Sequence, residues 1–522
     1  MDVDAIPVRS ANGDTVASLG GTISPQSSPL ASVPLEVLLN INKHLTTPEY
    51  GKLRLTCKHI EDQLHIAFAK EFFSKRQFMF TEFSLQALVD ISKSRFASSL
   101  KHVIFGLEQP GTQGSNPLPP NPQQWSISAL ALRNRLTTDW FQHASFLDTG
   151  RHVELLAEAF SALPHLDIVG MRDFNSQSRF RDAPNVSWNS YGTRTYQLET
   201  GMRMPGFISN TNRYNLGMVD NSASHFNFAY RVFRDILIGA GKASTSLKHY
   251  EVILRTGSLG DRAFIIPKYL EPTMVPVLAN LRTIFLDLNS EPPNMHVEKD
   301  KTIITCPSYF LMKFLSHTVN LEHLRLNFRF YRDTTSIVSW LSCSPTDTFN
   351  SATAGSPFAE PPPVELKHLR EINIGMITVE PKVILAIIHK HQTTLRAISL
   401  HKVTFVHKAD VPAEQRINLW AKFFQDLTKL DLKLDGINMS FLSQAQPSRE
   451  HVRQVTFEKG AEKPTKNWAG NDTQSGLRDF QALVFVKGLD KDSEVESNDG
   501  SEDHSDSLED SDIEDDEDEN DE

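Results

Sequence analysis

Residues 100–105 read Leu-Lys-His-Val-Ile-Phe, and this form, apolar at its first, fourth and sixth positions, returns eight times down the chain. The returns are Leu163-x-x-Leu166-x-Ile168, Leu247-x-x-Tyr250-x-Val252, Leu281-x-x-Ile284-x-Leu286, Leu321-x-x-Leu324-x-Leu326, Leu369-x-x-Ile372-x-Ile374, Leu395-x-x-Ile398-x-Leu400, Leu427-x-x-Leu430-x-Leu432 and Val452-x-x-Val455-x-Phe457. Side chains alternate between the two faces of a strand, so the fourth and sixth positions point the same way and predict a short strand with a buried side. The first position turns the chain into that strand. Successive copies begin 63, 84, 34, 40, 48, 26, 32 and 25 residues apart, so the array is irregular and carries insertions.

Helices are predicted between the strands. A short strand at Gln77 to Phe80 precedes a helix carrying Leu85, Leu88, Val89 and Ile91. Val153, Leu156, Ala159, Phe160 and Leu163 share one helical face, and Phe226, Tyr230, Phe233 and Leu237 another. Pro307, Pro381 and Pro412 each open a further helix, through Phe310, Phe314 and Leu315, through Ile384, Ile387 and Ile388, and through Ile417, Trp420, Phe424 and Leu427. Strand and helix in alternation predict an α/β chain, an irregular strand-helix solenoid over residues 76–488. Each unit of such an array buries its apolar edge only on its neighbours, so both ends need covers. The N-terminal helices would cover one end, and a strand at Gln481 to Val486 the other. Three insertions interrupt the array near 109–124, 173–224 and 344–363. The second mixes Asn, Ser, Arg, Tyr and Trp, a makeup that recognition surfaces use.

In front of the repeats lies Val33 to Phe73, VPLEVLLNINKHLTTPEYGKLRLTCKHIEDQLHIAFAKEFF. Ser32 offers a cap and Pro34 suits a first turn, with Leu35, Leu38, Leu39, Asn42 and Leu45 following at helical spacing. Val37 and Ile41 widen the apolar stripe beyond what packing on one neighbour needs, so this helix wants two partners. Thr47-Pro48-Glu49 opens a second helix with Tyr50, Leu53 and Leu55. A third restarts near Thr56, with Cys57, Ile60, Leu64, Ala67, Phe68 and Phe72 on one face. Three helices in roughly 40 residues are near the size at which a lone core becomes marginal.

These residues resemble an F-box. The family's Leu-Pro opening, acid, paired aliphatics, closing Leu, Pro and Leu-x-Leu-x-Cys-Arg/Lys run is met by Pro34, Glu36, Val37, Leu38, Ile41, Leu45, Pro48, Leu53, Leu55, Cys57 and Lys58. Val33 stands for the usual Leu, and Phe72-Phe73 where the family often has Leu-Trp. At motif level the resemblance covers about 40 of the 522 residues. More loosely, the whole chain is similar to F-box proteins of filamentous fungi with degenerate leucine-rich repeats, although only the later intervals approach the ~20 to 29 residues of a regular repeat. The resemblance implies a three-helix F-box at 32–75 that binds a Skp-type adaptor, and through it the cullin and RING subunits of a ubiquitin ligase. Its contact residues would be Pro34, Leu35, Leu38, Ile41, Leu45, Pro48, Leu53, Leu55 and Cys57, leaving Leu64, Phe68 and Phe72 to dock on the first repeat. A plain helical hairpin capping the next domain is the other reading of the same residues.

The net charge of -11 is unevenly spread: residues 489–522 hold nineteen Asp and Glu against the single Lys491, so the rest of the chain is mildly basic. Such a block cannot offset its ordering entropy and is expected to be a disordered acidic tail, with Ser493, Ser507 and Ser511 in an acidophilic kinase pattern. Residues 1–31, with Gly, Pro, Ser and Thr, read as a flexible leader. No apolar run or basic-then-apolar start supports membrane insertion or secretion. Three widely spaced Cys (57, 306 and 343) exclude a disulfide framework and fit a reducing compartment, cytoplasmic or nuclear.

No G-x-S-x-G, G-x-x-x-x-G-K-[ST], H-E-x-x-H or G-x-G-x-x-G is present. Cys57 reads as a small buried hydrophobe rather than a nucleophile. His389 and His391 would diverge rather than share a metal, so no catalytic residue, metal or cofactor is expected. The polar positions between inward apolars would line the concave face: His249, Glu251, Arg255, Asp287, His323, Arg325, Asn327, Arg329, Glu371, Asn373, Ser399, His401, Lys429 and Asp431. Mixed charge suits a protein target rather than nucleic acid. Of these, His323, Arg325, Asn327, Arg329 and His401 are the candidate target-binding set, since Arg forks suit carboxylate or phosphate. The function expected is a non-catalytic substrate receptor; the alternative is an adaptor-independent acidic-tailed nuclear scaffold or histone-type chaperone.

Overall fold

The structure is a computed structural model that describes residues 29–110, 126–175, 181–182, 189–201, 222–289, 295–298, 301–304, 308–329, 335–344, 360–409, 412, 416–446, 452–458 and 463–489. The acidic tail past Leu489, nearly all of the leader, Cys306, and most of the three insertions lie outside the described residues.

The chain opens with three helices. Pro34 occupies the N-cap of α1 (Leu35–Asn42). Ser32 does not cap it, because its hydroxyl donates to the Pro29 carbonyl at 2.8 Å. Helix α2 (Thr47–Arg54) starts one residue earlier than its Pro suggests: Thr46 is the N-cap, and the Glu49 carboxylate accepts from its N–H at 2.9 Å and from its hydroxyl at 2.8 Å. Helix α3 (Lys58–Phe73) follows, with Cys57 at its N-cap in extended backbone. That position turns the thiol to solvent, so Cys57 is exposed rather than a buried hydrophobe.

Leu38, Tyr50, Ile60, Leu64, Phe68 and Phe72 form a core of their own, separate from the main one. Tyr50 meets Phe68 edge-on at 5.3 Å. Leu64, Phe68 and Phe72 therefore pack inward on α1 and α2, and Phe68 also meets Phe96, beyond α4, at 6.1 Å. Most of the face expected to reach the next unit goes into closing this small core. The junction is made by Phe73, stacked on Phe96 at 4.3 Å, and by Arg95, which pairs with Glu61.

Helix α3 feeds β1 (Lys75–Met79), and after α4 (Glu82–Ser92) the chain enters β2 (His102–Gly106). Helices α5 (Ile127–Asp148) and α6 (Arg151–Ser161) lead to β3 (Ile168–Arg172), and α7 (Thr193–Thr200) and α8 (Ser222–Lys242) lead to β4 (His249–Ile253). Helix α9 (Glu271–Asn280) precedes β5 (Thr283–Asn289). A hairpin of β6 (Met295–Glu298) and β7 (Lys301–Ile304) and then α10 (Tyr309–Ser316) precede β8 (His323–Arg329), and α11 (Thr335–Ser342) precedes β9 (Glu371–Gly375). From here each long strand is followed by a short one: β10 (Thr378–Val379), then α12 (Pro381–Lys390), β11 (Ala397–His401) and β12 (Thr404–Val406). Next come α13 (Leu419–Leu427), β13 (Gly436–Ser440) and β14 (Ser443–Ala445), and the chain closes with β15 (Arg453–Thr456), β16 (Thr465–Ala469), α14 (Thr473–Leu483) and β17 (Phe485–Val486).

The result is mixed α/β with one large, mostly parallel sheet. Its order is β1-β2-β3-β4-β5-β8-β9-β11-β13-β16, every neighbour parallel except the terminal pair β13 and β16. Strands from different turns of the chain sit in matching register, so Leu324, Ile372 and Ile398 align, as do Leu326, Ile374 and Leu400. A backbone ladder runs just before the strands: Arg282 N–H donates to Lys248 O at 2.8 Å, Glu322 to Arg282 at 2.7 Å, Arg370 to Glu322 at 2.7 Å, and Arg396 to Arg370 at 2.6 Å. These inward apolars and the helices share one core, whose largest fully buried side chains include Trp340 and Trp420.

Six of the nine spacings mark strands of this sheet in register, and three do not. Leu163-x-x-Leu166-x-Ile168 falls three residues early, since Val103 pairs with Val169 and Phe105 with Met171, so the strand reads Leu166-x-x-Val169-x-Met171. Leu427 ends α13, and the strand comes later, at Leu434-x-x-Ile437-x-Met439. Two successive stretches, 427–432 and 434–439, satisfy the same apolar spacing. The ladder selects the second, because Asp435 N–H donates to Arg396 O at 2.6 Å. Lys429 and Asp431 consequently lie before the strand and off the sheet face. Val455 belongs to the second sheet, β10-β12-β14-β15-β17, where β15 runs antiparallel to β14. Helix α13 begins at Leu419 with Asn418 as its cap, whose side chain accepts from Ala421 N–H at 2.9 Å, so the helix of Trp420, Phe424 and Leu427 is not opened by Pro412. Gln481 to Leu483 finish α14, and only Phe485–Val486 is strand.

A second repeat was invisible to apolar counting. Met376, Lys402 and Phe441 all hold left-handed backbone, at φ 57°, 51° and 51°, at the same place between a long strand and a short one. Each is followed by a buried aliphatic, Ile377, Val403 or Leu442. The chirality cost of about 1 to 2 kcal/mol per such residue is carried three times over by the buried side chain that the turn delivers.

Candidate interaction surfaces

Two surfaces are open to a partner. The first is the sheet face opposite the core. Over β1 to β3 it is itself closed: Gln77, His102, Ile104 and Arg172 are buried. Gln77 donates to Ser190 Oγ at 2.9 Å, and that hydroxyl donates to the Glu108 carboxylate at 2.7 Å. From β5 onward the face is more open. Register sets Phe285, Arg325, Asn373 and Ser399 in one row, and Asp287, Asn327, Gly375 and His401 in the next.

The five candidate target-binding residues are thus on one face, in the central strands, but they are not equivalent. Asp287 is 3% exposed and its carboxyl is held above the usual range by burial; it accepts from Leu254 N–H at 2.6 Å. Arg325 lies 3.9 Å from it and covers Phe285 at 5.5 Å, so this guanidinium is partly engaged by its own sheet. Asn327 is buried and crowds Gly375, where an added Cβ would meet Asn327 Oδ1 at 2.1 Å. His323 lies 3.4 Å from Glu371, and burial pushes its imidazole down to about 4. His401 accepts from or donates to Ser440 Oγ at 2.8 Å, and burial holds it at about 4 as well. Both imidazoles are neutral at pH 7, so the arginines carry the positive charge of the set.

The second surface is on the three-helix unit. Pro34, Leu35, Ile41, Pro48, Leu55 and Cys57 are exposed. Leu35 is 38% exposed, Ile41 40% and Leu55 57%. Val37, outside the expected contact set, joins them at 46%. Leu45 and Leu53 are half-buried against the small core, and Leu38 is fully enclosed in it. Leu38 therefore holds the unit together and offers no surface. Helical spacing alone could not separate Leu38 from Leu35 and Ile41, because a wide stripe has two sides and only packing says which is covered.

Other chemistry is sparse. Among the described residues no group of three or more His, Cys, Asp or Glu could hold a metal ion, and no helix is long and apolar enough to cross a membrane. A cleft of about 250 Å³ is lined by Phe83, Arg135, Asp139, His143, Tyr196 and Glu199. Arg135 there is already matched by Asp139 at 2.9 Å and Glu199 at 2.8 Å. No protein-family model and no curated protein sequence matches the chain.

Proposed function

We propose that the chain is the substrate-recognition subunit of a Skp-cullin-F-box ubiquitin ligase, with its first three helices as the F-box and the large sheet as a degenerate leucine-rich-repeat solenoid that holds a protein target. The observation that carries the reading is the exposed aliphatic set Leu35, Val37, Ile41 and Leu55 on a unit that already has a closed core. A unit of that size needs no further apolar surface for itself, so the exposed set is surplus until a partner buries it. The residues that resemble the F-box pattern supply the partner's identity, a Skp-type adaptor that leads to cullin and RING subunits. The chain itself performs no bond chemistry. It contributes proximity, raising the effective concentration of a target lysine near the ubiquitin-loaded enzyme.

The target side is a protein rather than nucleic acid, because Glu251, Asp287 and Glu371 interleave with Arg325 and Arg329 on the sheet face. The work is placed in the cytoplasm or nucleus. Capture with a purified Skp-type adaptor tests the reading: wild-type chain binds, and a Leu35→Asp, Ile41→Asp, Leu55→Asp variant with unchanged circular dichroism does not. Binding by that variant, or no binding by the wild type, overturns it. Deleting residues 490–522 separates the alternative: a receptor keeps adaptor binding, whereas a histone-type chaperone loses its basic clients.

A further inference from the structure

Among its described residues, the 173–224 insertion reaches back to the first helices at Arg181 and Asp182. Asp182 accepts from Thr47 N–H at 3.0 Å and from the Thr47 hydroxyl at 2.6 Å. Arg181 forks onto Glu71, Nε to one carboxylate oxygen at 2.7 Å and Nη2 to the other at 2.8 Å. Its Nη1 donates to the carbonyls of Asn42 and, at 3.0 Å, Leu45, and its guanidinium covers the Tyr50 ring at 4.9 Å.

Each contact answers a need of the helices. The end of α1 leaves carbonyls without an intrahelical donor and carries partial negative charge; the start of α2 leaves N–H groups and partial positive charge. The two ends meet at one corner, and two adjacent residues of opposite charge serve both. Arg181 is only 11% exposed in its side chain, so solvent screening of its fork on Glu71 is reduced. The contacts span at least 110 residues of sequence. They also lie apart from the other attachment, which runs through Ser74, the Phe73–Phe96 stack and Arg95. With that attachment alone the unit would pivot where α3 enters β1. Two attachments hold a direction.

We infer that Arg181 and Asp182 are positioning residues that lock the orientation of the three-helix unit on the sheet body. The exposed residues Leu35, Val37, Ile41 and Leu55 have no part in the clamp. It therefore fixes where a partner bound there would stand relative to the sheet, without touching the bound surface. The inference goes beyond the adaptor reading and needs only these contacts.

The test uses the full chain with its cysteines replaced by Ser and spin labels at Lys52→Cys and Lys101→Cys, both exposed positions. The expected result is one narrow distance distribution in the parent and a clearly broader one in Arg181→Ala and in Asp182→Ala. Loss of the Asp182 acceptors in Asp182→Ala should also speed exchange of the Thr47 amide by about tenfold, the scale of a lost helix cap. Should Arg181→Ala unfold the small core, Asp182→Ala carries the test. An unchanged distance width in a folded Asp182→Ala or Arg181→Ala chain overturns the lock. Adaptor capture is read separately: its absence from parent and variants alike would remove the adaptor reading while the distance widths still decide the clamp.

Discussion

The three-helix unit and the sheet body treat apolar surface in opposite ways. In the body each strand passes its inward side chains to the helices and strands before and after it, and Leu324, Leu326, Ile372, Ile374, Ile398 and Leu400 are all 3% exposed or less. In the unit, six residues close a small core and five aliphatics of similar size, Leu35, Val37, Ile41, Leu55 and Ile66, remain outside. The body solves its burial by repetition, since every turn has a neighbour. Among the described residues nothing covers the unit's outer aliphatics. The contrast separates a part whose apolar stripes are buried strand upon strand from a part that closes a core and leaves a second stripe outside.

Cutting into the body should have the largest effect. Trp420 is fully buried, stacks on Phe405 at 3.7 Å and donates to Ser443 O at 2.8 Å. Trp420→Ala should cost about 3 to 5 kcal/mol in denaturant unfolding, by the loss of packing and the cavity left behind. Leu38→Ala should cost the unit about 2 to 5 kcal/mol. Hydrogen exchange should then rise in α1 to α3 and stay slow in β5 to β11, and a uniform rise would join the two cores that the structure separates. Gly375→Ala should cost about 1 to 3 kcal/mol by forcing Asn327 off its seat. Asn327→Ala in the same chain should recover most of that loss.

Acid should strike the body through its histidines. Burial pushes His143, His323, His391 and His401 down to about 4. The unfolded chain holds these protons more tightly, with an ordinary value near 6.5, so stability is kept above about pH 6.5 and falls as pH drops toward 4. Unfolding midpoints at pH 7 and pH 5 should show the loss, and imidazole NMR shifts that titrate near 6.5 in the folded protein would contradict it. The smallest effect on folding belongs to the unit's outer face. Leu35→Ser or Leu55→Ser should change stability by no more than about 0.5 kcal/mol, while adaptor capture weakens.

The alternation of strand and helix was legible because the period of two within each strand and the leucine that leads into it are local properties of the chain. Six strands of the sheet follow from them directly. The left-handed turns at Met376, Lys402 and Phe441 were not legible, since three unlike side chains occupy one backbone role. Neither were α5 and α7, whose faces stay largely exposed and so carry no sharp apolar stripe.

What the sequence determined by itself is the alternation of strand and helix through most of the body and the presence of a short helical unit with more apolar surface than one neighbour needs. Tertiary structure alone decided three further matters. It chose Leu434 over Leu427 as the start of a strand, because a backbone ladder has one register. It put Leu38 inside and Leu35 outside, because a helix presents both and only its neighbours cover one. It also brought Arg181 and Asp182 to the corner of α1 and α2, because capping needs charge and hydrogen-bonding groups close in space and is indifferent to the length of chain between them.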